Sequence, residues 1–154
     1  MKIKIEIDEQ LVENEIIIRC KQVDSSIPKI QEAITNITSH APNLLFYKDD
    51  TQYYLPLKEI LFFETTEQGI HAHTADDVYQ IKYRLYELEE LLPKSFIRVA
   101  KSTILNINAI YSISHLLTSS YLVAFNKSHK QVYVSRFYIK ALKARLEERR
   151  NYEI

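Results

Sequence analysis

The spacing of apolar residues changes twice along the chain. Lys2–Asp8 alternates strictly, with Ile3, Ile5 and Ile7 on one side and Lys2, Lys4, Glu6 and Asp8 on the other, the period of a half-buried strand. Glu15–Cys20 is rich in β-branched residues and predicts a second strand. From Ile27 the period lengthens, and Ile27, Ile30, Ile34 and Ile37 recur at helical spacing. Ser25 or Ser26 can cap this helix, and Pro28 falls in its first turn, where a missing N–H does no harm. The polar stretch Thr38–Asn43, with Pro42, ends it. Residues 1–40 read as a small β-β-α unit and 41–43 as a boundary. The expected domains are an α+β N-terminal unit over 1–43 and a second domain over 44–154.

From Leu44 onward, short apolar segments come every eight to twelve residues between polar turns. Leu44–Lys48 and Gln52–Leu55 flank Asp49-Asp50-Thr51, and Ile60–Glu64 and Ile70–Thr74 flank a turn containing Gly69. Val78–Lys82, Phe96–Val99, Ile110–Ser114, Tyr121–Phe125 and Gln131–Val134 are further candidate strands. This spacing predicts antiparallel β-structure built from hairpins. Two helices interrupt it. Tyr83–Leu92 carries Leu85, Leu88 and Leu92 on one side and stops at Pro93. Arg136–Arg149 carries Ile139, Leu142 and Leu146, with Ser135 as its expected N-cap. No fixed-period repeat or low-complexity tract appears.

Charge then divides the chain. The 20 basic and 20 acidic residues cancel overall. Between Pro93 and Leu146, however, stand Lys94, Arg98, Lys101, Lys127, Lys130, Arg136, Lys140, Lys143 and Arg145, with no Asp or Glu. Such asymmetry points to a polyanionic partner for the C-terminal half. With one glycine, Gly69, the chain lacks the glycine-rich loops that cradle nucleotide phosphates. One cysteine, Cys20, forms no intramolecular disulfide and reads as a buried, inert thiol. No apolar run approaches the ~18 residues of a membrane-spanning helix, and the charged start does not form a signal-peptide core. A soluble, cytoplasmic protein is expected.

Two stretches concentrate candidate chemistry. In Phe96–Asn106, Arg98 and Lys101 stand beside Ser102 with no acid nearby in sequence. They make a cation–hydroxyl cluster suited to phosphate oxygens or base edges. In Gln131–Lys143 a strand runs into a helix, and Arg136, Lys140 and Lys143 at i, i+4 and i+7 would share a helical face. The free N–H groups of the helix start would add positive potential near Arg136.

Phe-x-Arg-x-x-Lys-Ser-x-x-Leu-Asn from Phe96, followed about thirty residues later by Val-Ser-Arg-x-Tyr from Val134, resembles the LytTR family of bacterial DNA-binding domains. Tyr53–Glu64 resembles the family's opening strands, Ile70–Thr74 matches the strand that follows, and the resemblance extends over roughly residues 44–148. It implies a mainly β fold, elongated and antiparallel with short helices, and a sequence-specific transcription regulator. Such a regulator reads double-stranded DNA through loops, entering successive major grooves of a repeated site as a pair of domains. The implied contacts are the turn around Glu67, Gln68, Gly69 and His71; Arg98, Lys101 and Ser102; and Arg136. Lys140 and Lys143 are added as backbone contacts. Many family members carry a receiver domain. The first 43 residues are too few for one, so control by phosphorylation is not expected. The N-terminal unit is then a candidate for homodimerisation or regulation, and a membrane protein encoded nearby is a family-level expectation for a regulator.

Other signals are weaker. His71 and His73 alternate on one strand face near Asp76 and Asp77, but two imidazoles without a secured third ligand do not make a metal site. Asp49-Asp50 and Asp76-Asp77 fit turns better than catalysis. The 11 tyrosines fit strand and helix packing better than RNA stacking. No nucleophile, base and oxyanion donors converge, so no enzyme, cofactor or small-molecule substrate is expected. The alternative to a DNA reader is a protein-interaction module whose basic half docks on an acidic partner, including the acidic half of a second copy.

Overall fold

The computed structural model describes residues 4–12, 15–38 and 43–152, with side chains of 36–38 and 151–152 left aside. The chain divides into two compact units, Met1–Thr38 and Ser39–Ile154.

In the first unit, one helix forms, α1 (Ser26–Thr38). Ile27, Ile30 and Ile34 are its half-buried positions. The capping oxygen comes from Asp24 rather than from a serine: its Oδ1 accepts the Ser26 N–H at 2.8 Å and the Ser26 hydroxyl. These bonds, the hydroxyl first, hold the Asp24 carboxyl below the usual carboxylate range. The two strands expected here do not form among the described residues 4–8 and 15–20; Ile3 and the rest of 1–3 lie outside the described residues. Ile5, Ile7, Ile16 and Ile17 are exposed. Alternation defines a strand face only where a neighbouring strand completes the ladder, and a lone pair of short strands is marginal in water. Cys20 is consequently exposed, not buried as expected.

The second unit is antiparallel β-structure with short helices. Its elements are β1 (Phe46–Lys48), β2 (Thr51–Tyr53), β3 (Phe62–Thr66), β4 (Gly69–His73), β5 (Val78–Ile81), α2 (Leu85–Leu91), β6 (Phe96–Ala100), β7 (Thr103–Asn106), β8 (Ile110–His115), β9 (Tyr121–Phe125), β10 (Gln131–Val134) and α3 (Ile139–Tyr152). Seven strands make one sheet in the order β2-β1-β5-β4-β3-β7-β6, and three make a second, β10-β9-β8. The turns at Asp49-Asp50 and around Asp76-Asp77 form as expected.

The centre of the large sheet is covered on both faces, which is why Ile60-Leu61-Phe62-Phe63, leading into β3, and Ile104-Leu105 in β7 are apolar at successive positions rather than alternating. Ile60, Phe63, Ile104 and Phe96 face a core closed by Leu85 and Leu88 of α2. Leu61, Phe62, Leu105 and Val99 face a second core with Val123, Val134 and Leu142, from β9, β10 and α3. Each fully buried leucine contributes about 1.5–3 kcal/mol. Helix α2 is fixed at its start by Glu87, whose carboxylate accepts the Arg84 N–H at 3.1 Å. Asn106, buried at the end of β7, donates from Nδ2 to the Ile60 carbonyl at 2.9 Å and accepts from the Asn108 N–H at 3.0 Å.

Candidate nucleic-acid interface

Strand pairing brings three turns to one end of the large sheet. β3 and β4 pair from Phe62↔His73 to Thr66↔Gly69, so their turn lies at Glu67-Gln68. β6 and β7 pair from Phe96↔Asn106 to Ala100↔Thr103, so their turn lies at Lys101-Ser102. β3 and β7 are themselves antiparallel neighbours, with Glu64 opposite Thr103. The two turns are therefore adjacent, and the Thr65 N–H donates to the Ser102 carbonyl at 2.8 Å.

The third turn arrives through a bulge. The β6–β7 register shifts between Arg98 and Ala100, leaving Val99 as the extra residue outside the ladder. Its carbonyl accepts the Ser135 N–H at 3.1 Å. That bond places residues 136–138, which follow β10, beside the end of β6.

Each turn has its own stiffening. In the first, Gly69 takes φ +112°, a conformation that L side chains rarely adopt. Thr66 Oγ1 accepts the Gln68 N–H at 3.2 Å and meets His71 Nδ1 at 3.0 Å. Gln80 Nε2 donates to the Gln68 carbonyl at 3.1 Å. Glu64, Thr66, Glu67, Gln68, His71, His73 and Val78 line a depression of about 410 Å³ beside this turn. His73 Nε2 meets Glu64 Oε1 at 2.9 Å, and its ring stacks on Phe62 at 4.2 Å. Burial pushes the His73 imidazole below its ordinary value, against the pull of Glu64 and with help from Lys130.

The second turn is held by Arg98. Its Nε donates to the Ala100 carbonyl at 2.8 Å, Nη2 donates to the Lys101 carbonyl, and Nη1 meets Glu89 Oε2 at 2.9 Å. The expectation that no acid neutralises Arg98 fails because Glu89 comes from α2, outside the acid-free segment. Lys101 and Ser102 are exposed at the tip.

The third turn corrects the expected helix start. Arg136 does not share a helical face with Lys140 and Lys143, because α3 begins at Ile139. The Ser135 carbonyl accepts from Tyr138 N–H at 3.0 Å and Ile139 N–H at 3.2 Å. Residues 136–138 are thus a turn ahead of the helix. With the Ser135 N–H committed to Val99, the chain stays extended through that residue and turns only afterwards. Arg136 is exposed there, and no helix N-terminus lies at its own backbone.

The acid-free segment is not one basic face. Lys130 Nζ donates to the Asp77 carbonyl at 2.6 Å, and Ser128 Oγ donates to Ala75 O at 3.0 Å, so the β9–β10 loop is tied to the β4–β5 turn, at the opposite end of β4 from Gly69. Arg145 donates to the Lys94 carbonyl and lies 3.9 Å from Glu148. Lys143 sits over the Tyr121 ring at 5.0 Å. Lys101, Arg136 and Lys140 carry no side-chain hydrogen bond, ion pair or ring contact among the described residues. Sequence reasoning missed the anchoring roles of Thr65, Val99 and Glu89: Thr65 and Val99 have partners more than thirty residues away, and Glu89 reaches Arg98 across the break between α2 and β6.

No helix of the described residues is long and apolar enough to cross a membrane. A family model described as the LytTr DNA-binding domain matches residues 50–147. Two relatives from Staphylococcus aureus, strains NCTC 8325 / PS 47 and COL, are each 30% identical over 148 residues, spanning 95% of this chain and 98% of the relative. Each is named an uncharacterized HTH-type transcriptional regulator. A solved structure, the LytTr DNA-binding domain of a putative methyl-accepting/DNA response regulator from Bacillus cereus, superposes with a TM-score of 0.62 at 28% identity, covering 67% of this chain and 94% of that one. With the three turns at one end of its sheet and a match over most of its second unit, the chain belongs to the LytTr DNA-binding domain family.

Proposed function

We propose that this protein is a sequence-specific transcription regulator that reads a repeated site in double-stranded DNA through its three clustered turns. The observation that carries this reading is the gathering of Lys101 and Arg136, both exposed and uncommitted, at one end of the sheet beside the Gln68 turn. A guanidinium free of internal partners can bond guanine O6 and N7 together. Lys101 supplies a cation and Ser102 a hydroxyl for a base edge or phosphate, while Gln68 and His71 border the first turn. Arg98 acts mainly by holding the Lys101-Ser102 turn in place. Lys140 and Lys143 lie further along α3 and serve the phosphate backbone.

The relatives' names refer to a helix-turn-helix, but α2 and α3 are separated by five strands. Loops, not a recognition helix, therefore carry the readout proposed here. A repeated site calls for two domains, so the protein binds as a homodimer, with residues 1–43 as the joining unit. The setting is the cytoplasm, where the DNA is. A footprint of the purified full chain on the DNA upstream of its own gene tests the reading. Protection of a repeated element, with at least about 10³-fold preference over random duplex, is expected. Equal binding to both would favour a docking module instead.

A further inference from the structure

Phe137 lies next to Arg136 in the turn before α3 and is 85% exposed. Among the described residues its ring meets only that of Tyr138, edge-on, with centroids 5.1 Å apart and planes at 82°. Tyr138 packs in turn against the second core. The phenyl group is thus propped from behind and presented outward at the turn pinned by Ser135 and Val99. An exposed phenylalanine gains nothing from water and nothing from phosphate oxygens. The floor of the major groove, however, displays one apolar group, the 5-methyl of thymine.

We propose that Phe137 is a specificity-determining residue that packs on a thymine 5-methyl group neighbouring the base that Arg136 contacts. The inference rests on the DNA-reading function above. Adjacent residues in one turn reach adjacent base pairs, so Arg136 supplies a polar preference and Phe137 an apolar one at the next step. The turn then selects a guanine–thymine neighbourhood rather than a guanine alone.

The experiment uses the full chain and a duplex enriched by it from a random pool. Each thymine of that duplex is replaced singly by deoxyuracil, which removes the methyl group and keeps every hydrogen-bonding edge. One replacement, next to the position at which Arg136→Ala loses discrimination, is expected to weaken the wild type about three- to fivefold. Phe137→Ala should bind both duplexes alike, and Phe137→Leu should keep part of the difference. Phe137 is exposed, so both variants should fold, which circular dichroism checks. Equal binding of every deoxyuracil duplex by the wild type would overturn the inference. So would a Phe137→Ala variant that weakens binding while keeping the methyl preference, which would assign the ring to the sugar–phosphate backbone or to a second chain. If no duplex is enriched from the pool, the function itself fails, an outcome distinct from an enriched duplex indifferent to the methyl group.

Discussion

The cations of the acid-free segment differ in what their side chains already hold. Arg98, Lys130 and Arg145 bond to carbonyls of their own chain, while Lys101 and Arg136 hold nothing among the described residues. The sequence displays the cations but not this division, because it depends on the turn that brings the Ala100 and Lys101 carbonyls to Arg98 and on the packing that brings Asp77 to Lys130 and Lys94 to Arg145. Arg136→Ala is expected to lower affinity for the specific site by about 1–3 kcal/mol and for random duplex by much less; equal losses in a competition assay would make it a phosphate contact. Arg98→Ala removes the donors to two turn carbonyls and should lower stability by about 1–3 kcal/mol in denaturant unfolding. The half-exposed pair with Glu89 adds little to that figure. Arg98→Lys should recover only part, since an ammonium does not reproduce the fork. His73 adds a pH effect. Folding lowers its affinity for a proton, so the unfolded chain is protonated first as pH falls below the ordinary value of 6.5. Its contribution is complete above that value and is lost as pH drops toward the folded value. Thermal unfolding should therefore show stability level at neutral pH and declining as pH falls below 6.5. His73→Phe, which can keep the stack on Phe62 and does not titrate, should flatten that decline.

At the scale of elements, hairpins flanked by clear turn residues were legible, and those closed by ordinary residues were not. Asp49-Asp50 and Gly69 mark their reversals. Lys101-Ser102 carries no Gly, Asn or Asp, so β7, only four residues long, did not stand out as a strand separate from β6. The start of α3 falls three residues later than expected because residues 136–138 close a turn on the Ser135 carbonyl, which accepts from Tyr138 N–H and Ile139 N–H. The alternation in Lys2–Asp8 carried a strand signal, but no strand forms over the described residues 4–8. The displaced start separates Arg136 from the charges of the helix. Lys140 and Lys143 remain on α3, the latter over Tyr121. Replacing either with Ala should weaken all duplexes alike and reduce the slope of log K against log salt by about one unit per lost phosphate contact. A changed order of preference among duplexes, measured at one salt concentration, would place that lysine at a base instead.

At the scale of the molecule, charge and core divide the chain in different ways. Residues 93–154 hold 11 basic and 3 acidic side chains, so the basic excess spans only part of the second unit. Both apolar cores, by contrast, draw among the described residues only on Leu44 to Leu146. The change of periodicity suggested a boundary at residues 41–43, and the two compact units divide after Thr38. That the large sheet is covered on both sides was not legible, because it depends on how distant strands pair. Since both cores lie within the second unit, a fragment beginning near Asn43 should fold and keep Lys101, Arg136 and the turn that carries Gln68. It should recognise the same site as the full chain, but weakly and as single domains. Joining two domains raises the effective concentration of the second at its half-site, and removing the joining unit gives up that gain. Sedimentation of each form with and without DNA, alongside binding isotherms, checks this. Full affinity and an unchanged dimer in the fragment would give residues 1–43 another task, and an unfolded fragment would make them part of the β domain's core.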